Sequence, residues 1–342
     1  MKKKMTLSIV LLLLAVSMLF SKGANEKAYD SFWSVLSDYY PMYYIAQSEG
    51  LDPESIRDNG RTKFNEETSE YEILFLLRRL CYNFVNLDYI VAAFPSADNA
   101  SDIERPVLER KSPGSTYIPS LKTVVLRIPS FEVTDLSEDS ILRSLDGMGD
   151  VENIIFDITG NRTGNNNEDL SVVLAPFGGS WDYSYRAYFR NRYTAGLFFN
   201  AEAIKQTENQ LYRDEYRLTC YVDVTKSYDF GDGTLNDRLR NAKRWILVDS
   251  ETSYTADFFA SFAQAAGWAT VVGHRTKGNG TGLPFLRSLL DGKKYELYFN
   301  ATVIDNNKGG LKILSGTIPD ITADDGRSAL NLCLDLIEKS GT

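Results

Sequence analysis

Trp245-Ile246-Leu247-Val248-Asp249, Ser250-Glu251-Thr252-Ser253, Ala256-Asp257-Phe258-Phe259-Ala260-Ser261-Phe262-Ala263 and Ala269-Thr270-Val271-Val272-Gly273 follow one another within Arg244 to Gly280. They read as a buried strand, a polar turn, an apolar helix, and a second strand that runs into a Gly-rich loop. A strand that feeds a helix through a tight turn is the geometry in which many hydrolases hold a nucleophile. Outward from this unit, strand-like runs fall at Thr123 to Ile128, Asn153 to Ile158, Arg217 to Val224 and Glu296 to Ile304. Helical patterns lie near Asp169 to Ala175, Ala256 to Ala266 and Ser328 to Glu338. Strands alternating with helices predict an α/β layered core.

The N-terminal part reads differently. Phe32, Trp33, Leu36, Tyr39 and Tyr40, and again Ile73, Leu74, Leu76, Leu77, Leu80, Cys81 and Phe84, recur at helical spacing. The expected division is a signal peptide over 1–23, a helical subdomain over 24–95, a linker over 96–120 and the α/β core over 121–342. Pro95, Pro106, Pro113 and Pro119 mark the linker as an irregular surface crossing. The signal is read from Lys2-Lys3-Lys4, an apolar run from Leu7 to Phe20, and Ser21-Lys22-Gly23-Ala24. That run is shorter than the ~20 residues of a spanning helix, so cleavage and export are expected and a retained anchor is the weaker alternative.

With 342 residues, 43% of them apolar, the chain can bury a large core. Loss of residues 1–23 removes Lys2, Lys3, Lys4 and Lys22 and no acid, which moves the formal charge from −9 to −13. Such an acidic balance disfavours nucleic acid and anionic membrane surfaces as partners. Cys81, Cys220 and Cys333 are odd in number and far apart, which suits buried thiols better than a disulfide framework. No paired His, paired Cys or tight carboxylate cluster suggests a metal, and nothing in the sequence calls for a cofactor.

The stretch from Arg244 resembles the core of the carboxyl-terminal processing (tail-specific) serine peptidases. There the turn reads roughly Thr-x-Ser-Ala-Ala-Glu-x-Phe-Ala, and the second strand runs into Val-Val-Gly-x-x-Thr-x-Gly-Lys-Gly. Ile154-Ile155-Phe156-Asp157-Ile158-Thr159-Gly160-Asn161-Arg162-Thr163-Gly164 resembles the family's strand followed by a glycine-rich loop. Ser315-Gly316-Thr317-Ile318-Pro319-Asp320-Ile321 resembles its closing Gly-x-x-Pro-Asp motif. Tyr29 to Leu36, with Tyr39-Tyr40-Pro41 and Gly50-Leu51-Asp52, is similar to the N-terminal region of the tricorn-core-like branch, which also includes the interphotoreceptor retinoid-binding protein. The resemblance implies a core related to the crotonase and caseinolytic-protease folds. The segment 94–120 is too short for the PDZ domain that many members carry, since independent domains start near ~50 residues.

The resemblance also assigns roles, and the chain departs from them. The nucleophile position falls on Tyr254, the lysine base of one branch on Asn279, between Gly278 and Gly280, and the histidine base of the other branch on Ile90 in Val85-Asn86-Leu87-Asp88-Tyr89-Ile90-Val91. A phenol with pKa near ~10 is a poor acyl-transfer nucleophile, and an amide takes no proton at neutral pH. In the loop Gly160 to Gly164, which in the family helps form an oxyanion hole, Arg162 and Thr163 stand where glycine is usual. Ser253 is a weak candidate for a shifted nucleophile, but one residue of shift near a helix start turns a side chain by about 100°. Its simpler role is an N-cap beside Thr252. Tyr254-Thr255-Ala256-Asp257 keeps the acid of the family's Ser-x-x-Glu capping box and loses its hydroxyl. His274, the chain's one histidine, and Lys277 are the remaining candidate bases in the cleft.

Three functions follow. The leading expectation is an exported member of this family that has lost catalysis and binds peptide or unfolded protein segments in the former cleft. The second is an active serine peptidase with rearranged groups, Ser253 as nucleophile and His274 or Lys277 as base. The third is a small apolar ligand-binding protein, which the 18 Phe and 20 Tyr would suit.

Overall fold

In the computed structural model of the chain, the described residues are 23–65, 67–85, 91–95, 112–132, 135–164, 170–278, 285–290, 295–305, 310–324 and 326–340. They fall into two units. The first takes the described residues up to 95 together with Phe285–Asn300, and the second takes the rest.

The first unit is built on helices Ala24–Tyr39, Met42–Ser48, Pro53–Gly60 and Glu70–Val85. Ala28, Tyr29, Phe32, Trp33, Val35 and Leu36 form the buried stripe of the first helix, at the spacing the sequence shows. That helix stops at Tyr40, whose extended backbone precedes Pro41. Pro53–Gly60 starts with Pro at its first position, and the Asp52 side chain accepts Ser55 N–H at 2.9 Å. Strands Val91–Pro95 and Phe285–Leu289 flank Tyr295–Asn300, both antiparallel to it. Phe285–Asn300, which the sequence assigns to the core from residue 121 onward, clusters with the N-terminal helices instead.

The second unit carries a six-stranded sheet in the order Ile321–Thr322, Thr270–Gly273, Lys243–Val248, Asn153–Asp157, Thr123–Arg127, Gly114–Ile118. All neighbours are parallel except the last pair. Asn153–Asp157 is buried along its whole length, which is why it reads as a nearly continuous apolar run rather than an alternating one. Successive residues face opposite layers. Ile155, Trp245, Leu247 and Val272 pack with Ala329, Cys333 and Ile337 of the C-terminal helix Ala329–Ser340. On the other face Phe156 meets Phe177, Phe259 and Trp268, with ring centroids 5.1 to 6.0 Å apart, beneath helix Thr255–Ala265. A second, antiparallel sheet runs Thr302–Ile304, Ser180–Phe189, Cys220–Asp229, Lys205–Gln206.

Three readings of the sequence need correction. Part of the expected linker, Gly114–Ile118, is an edge strand antiparallel to Thr123–Arg127. The single run Glu296 to Ile304 divides between the two units at Ala301. Ser180–Phe189 is a further strand that the sequence reading lacks, although Tyr183, Tyr185 and Ala187 alternate with the less buried Ser184 and Arg186 at strand period. The three cysteines are free and buried, and burial pushes the Cys220 thiol up to about 11 and Cys333 up to about 12. Both are therefore protonated and unreactive at neutral pH.

Because Phe156 is fully buried among three aromatic rings, Phe156→Ala leaves a cavity between sheet and helix. Denaturant unfolding should show a loss of about 3–5 kcal/mol; a loss under about 1 kcal/mol would contradict the packing described.

Candidate active site

Strand Lys243–Val248 feeds helix Thr255–Ala265 through the turn Asp249 to Tyr254. Tyr254 has φ 57° and ψ −129°, a left-handed backbone that side-chain-bearing residues seldom adopt. Such a conformation costs on the order of 1–3 kcal/mol and persists only where the surroundings impose it. The surroundings here are explicit. Tyr254 N–H reaches Gly278 O at 3.3 Å, and Tyr254 O accepts Phe258 N–H at 3.0 Å.

Asp249 organises the turn. Its Oδ1 accepts the N–H of Glu251 at 3.1 Å, of Thr252 at 2.9 Å and of Gly160 at 3.0 Å, and it lies 2.9 Å from the Thr252 hydroxyl. One carboxylate thus ties the elbow to the loop that follows Asn153–Asp157. Two further links close the seam: Ser253 N–H donates to Asn161 O at 3.0 Å, and Arg162 pairs with Glu251.

The loop Gly160 to Gly164 has used most of its donors. Gly160 N–H goes to Asp249, Asn161 N–H to Ile158 O at 3.1 Å, Thr163 N–H to Asn161 Oδ1 at 3.0 Å and Gly164 N–H to Glu132 Oε1 at 3.2 Å. Among the described residues, Arg162 is the member of this loop whose amide meets no acceptor. Asn161 is fully buried, and its Nδ2 donates to Ile128 O at 2.9 Å. The Thr163 hydroxyl accepts Phe131 N–H at 2.7 Å. A Cβ on Gly164 would stand 2.4 Å from Thr255 Oγ1, so this glycine serves loop-to-helix packing rather than room for a ligand. An oxyanion hole needs free donors converging on one point, and these point at protein acceptors instead.

Ser253 is buried, with 1% exposure, and it is not the helix cap. Tyr254 occupies the cap position without any side-chain cap bond, and the hydroxyl of Thr252 is turned back onto Asp249. Among the described residues no hydrogen bond joins Ser253 to His274. His274 N–H donates to Val248 O at 3.1 Å; Lys277 is exposed, and its N–H donates to Thr252 O at 2.9 Å. Gly278 forms a parallel bridge with Ser253, so the second loop runs along the elbow by its backbone. Asn279, Gly280 and Ile90 lie outside the described residues.

Asp257 differs from the expected capping-box acid. It points inward, 3.1 Å from Lys312 Nζ, and its Oδ1 accepts the hydroxyls of Thr276 and Thr317, each at 2.6 Å, and Thr317 N–H at 3.2 Å. Asp257 and Lys312 are both fully buried. Burial pulls the Lys312 ammonium below its ordinary pKa, opposed by the Asp257 charge beside it. The cluster fastens Thr276 and the segment Lys312 to Thr317 to the first turn of the elbow helix. Its one signal in the sequence is a lysine inside the apolar run Leu311-Lys312-Ile313-Leu314. Among the described residues no group of three or more His, Cys, Asp or Glu could hold a metal, and no helix is long and apolar enough to cross a membrane.

Residues 122–323 match the model of peptidase family S41, and the chain belongs to that family. No curated protein matches the sequence. Among solved structures, the chain is similar to a candidate peptidase from Parabacteroides merdae at 13% identity and TM-score 0.58, covering 92% of this chain and 97% of that one. A lipoprotein from Streptococcus agalactiae matches at 12% identity and TM-score 0.55, covering 94% and 98%. Mature CPAF matches at 12% identity and TM-score 0.51, covering 93% and 99%. At these identities the likeness shows a shared fold, and with the family match it bears out the helical N-terminal region and layered α/β core that the motifs implied.

Removing one partner of the Asp257–Lys312 pair leaves a buried charge without compensation. Asp257→Leu and Lys312→Met should each cost about 3–5 kcal/mol in chemical denaturation. The double variant should cost clearly less than the two together. Additive losses would show that the two groups do not act as a pair.

Proposed function

We propose that this family S41 chain is exported, lacks peptidase activity, and binds extended peptide or unfolded protein segments at the elbow and the loop beside it. The observation that carries this reading is Tyr254 on the strained elbow, where the resemblance implies serine. A phenol is a weak nucleophile for acyl transfer, and the bulk of Tyr254 takes the space a scissile carbonyl would need. The engaged amides of Gly160, Asn161, Thr163 and Gly164 support the same conclusion. So does Ser253, which makes no hydrogen bond to His274. Asn279 and Ile90, at the two base positions, support it from the sequence.

Family membership favours peptide or protein as what is bound, since a fold retained without its chemistry keeps its recognition surfaces more readily than its reaction. Export rests on the apolar run Leu7 to Phe20 behind Lys2-Lys3-Lys4. The proposed organisation is a removed signal over 1–23, an N-terminal helical unit that also takes Phe285–Asn300, and a family core whose edge strand Gly114–Ile118 precedes Thr123–Arg127.

The test is incubation of the purified chain with casein and with short peptides, with cleavage followed by mass spectrometry and binding by fluorescence anisotropy. Saturable binding without cleavage is expected, identical in Ser253→Ala and weakened by about tenfold in Tyr254→Ala. Hydrolysis that disappears in Ser253→Ala would overturn the reading in favour of a relocated nucleophile, and absence of any peptide binding would overturn the recognition part.

A further inference from the structure

Arg244 stands at the N-terminal end of strand Lys243–Val248. Along a strand that end lies about 13 Å from Val248, where the elbow begins. It is therefore at the opposite edge of the parallel sheet from the carboxyl ends where such sheets usually hold ligands. Its guanidinium lies 4.8 Å from the ring centre of Trp268, 5.7 Å from that of Trp181 and 5.8 Å from that of Phe177. Nε donates to Trp268 O at 2.9 Å and Nη1 to Arg240 O at 3.3 Å. Two backbone carbonyls and three aromatic rings thus fix the group in place.

The two arginines that precede it in the chain are paired with carboxylates, and it is not. Arg238 pairs with Asp150 at 3.1 Å, and Arg240 pairs with Asp237. Among the described residues Arg244 has no carboxylate partner, and Nη2 meets no acceptor. Burial pulls the Arg244 guanidinium below its ordinary pKa, the cost of holding a charge away from water without a counter-ion. A chain with 46 acids leaves this cation without a carboxylate among three aromatic rings.

We propose that Arg244, backed by the buried Trp268 and flanked by the partly exposed Trp181, binds the carboxylate group of a small organic acid. A guanidinium held on one side by carbonyls presents its remaining N–H groups in one plane, which matches two carboxylate oxygens. The aromatic walls suit an acid with a short apolar body, because Trp181 remains partly exposed.

The experiment titrates sodium butyrate, sodium phosphate and sodium chloride into the full chain at matched ionic strength while tryptophan emission is followed. Of the four tryptophans, Trp181 flanks the guanidinium at the surface and Trp268 lies beneath it, so occupancy reports through their emission. Butyrate should give a saturable change, chloride none, and phosphate, which has no apolar body to lie against the partly exposed Trp181, should bind more weakly by about fivefold or more. Arg244→Lys should weaken butyrate by about tenfold, since an ammonium cannot offer the planar pair. A butyrate trace that follows chloride would mean a solvated arginine stacked on tryptophan and nothing more. Phosphate binding as tight as butyrate, or an unchanged Arg244→Lys, would equally overturn the assignment. If circular dichroism shows that Arg244→Lys does not fold, Trp181→Ala takes its place, with about fivefold weakening expected and unchanged affinity contradicting the proposal. The readout involves no peptide, so its failure leaves the cleft reading untouched.

Discussion

The Asp249 carboxylate is the constraint on which the candidate site depends. Its Oδ1 accepts three backbone amides and sits beside the Thr252 hydroxyl, and one of those amides, Gly160, belongs to a different loop. The parallel pairing of Asn153–Asp157 with Lys243–Val248 brings the two loops out at the same edge of the sheet, and Asp249 then holds them together. Once that seam is closed by Ser253 N–H on Asn161 O and by Arg162 on Glu251, the left-handed backbone of Tyr254 has little freedom to relax. The strain of the elbow is held by its neighbours rather than by the residue that bears it.

That arrangement separates scaffold from chemistry. The strand, turn, helix and second loop are where an acyl-transfer site would need them, and Gly278 touches Tyr254 through the backbone. In the proposed reading, the groups that would move protons and hold developing charge are committed elsewhere. Loop amides end on Asp249, Ile158, Asn161 and Glu132, and the first-turn acid Asp257 is committed to Lys312, Thr276 and Thr317. Each bond is a modest net gain for stability, and each is also a donor or acceptor withdrawn from any substrate.

Much of this was legible in the sequence, because apolar runs of strand length bounded by turn residues mark the central parallel strands well, and Trp245 to Val248 and Asn153 to Asp157 fell where expected. The elbow was legible from its order of elements, and Tyr254 from the motif. What escaped were interactions between segments far apart in the chain. Asp257 reads locally as a capping acid, and only its approach to Lys312, 55 residues on, turns it inward. Ser253 reads as an N-cap by residue type, and the hydrogen bond from its own amide to Asn161 places it in the extended seam instead. Ser180–Phe189 is harder to read from the sequence because its polar positions, Ser180, Asp182, Ser184 and Arg186, interrupt the apolar run that marks the central strands.

The most direct test of a scaffold kept without its nucleophile is reaction of the intact chain with a fluorophosphonate, which phosphonylates an activated serine far faster than an unactivated hydroxyl. The account predicts an unchanged mass after prolonged exposure, with Tyr254→Ser the variant to compare. One adduct per chain in the native protein, mapped to Ser253 by peptide sequencing, would contradict it.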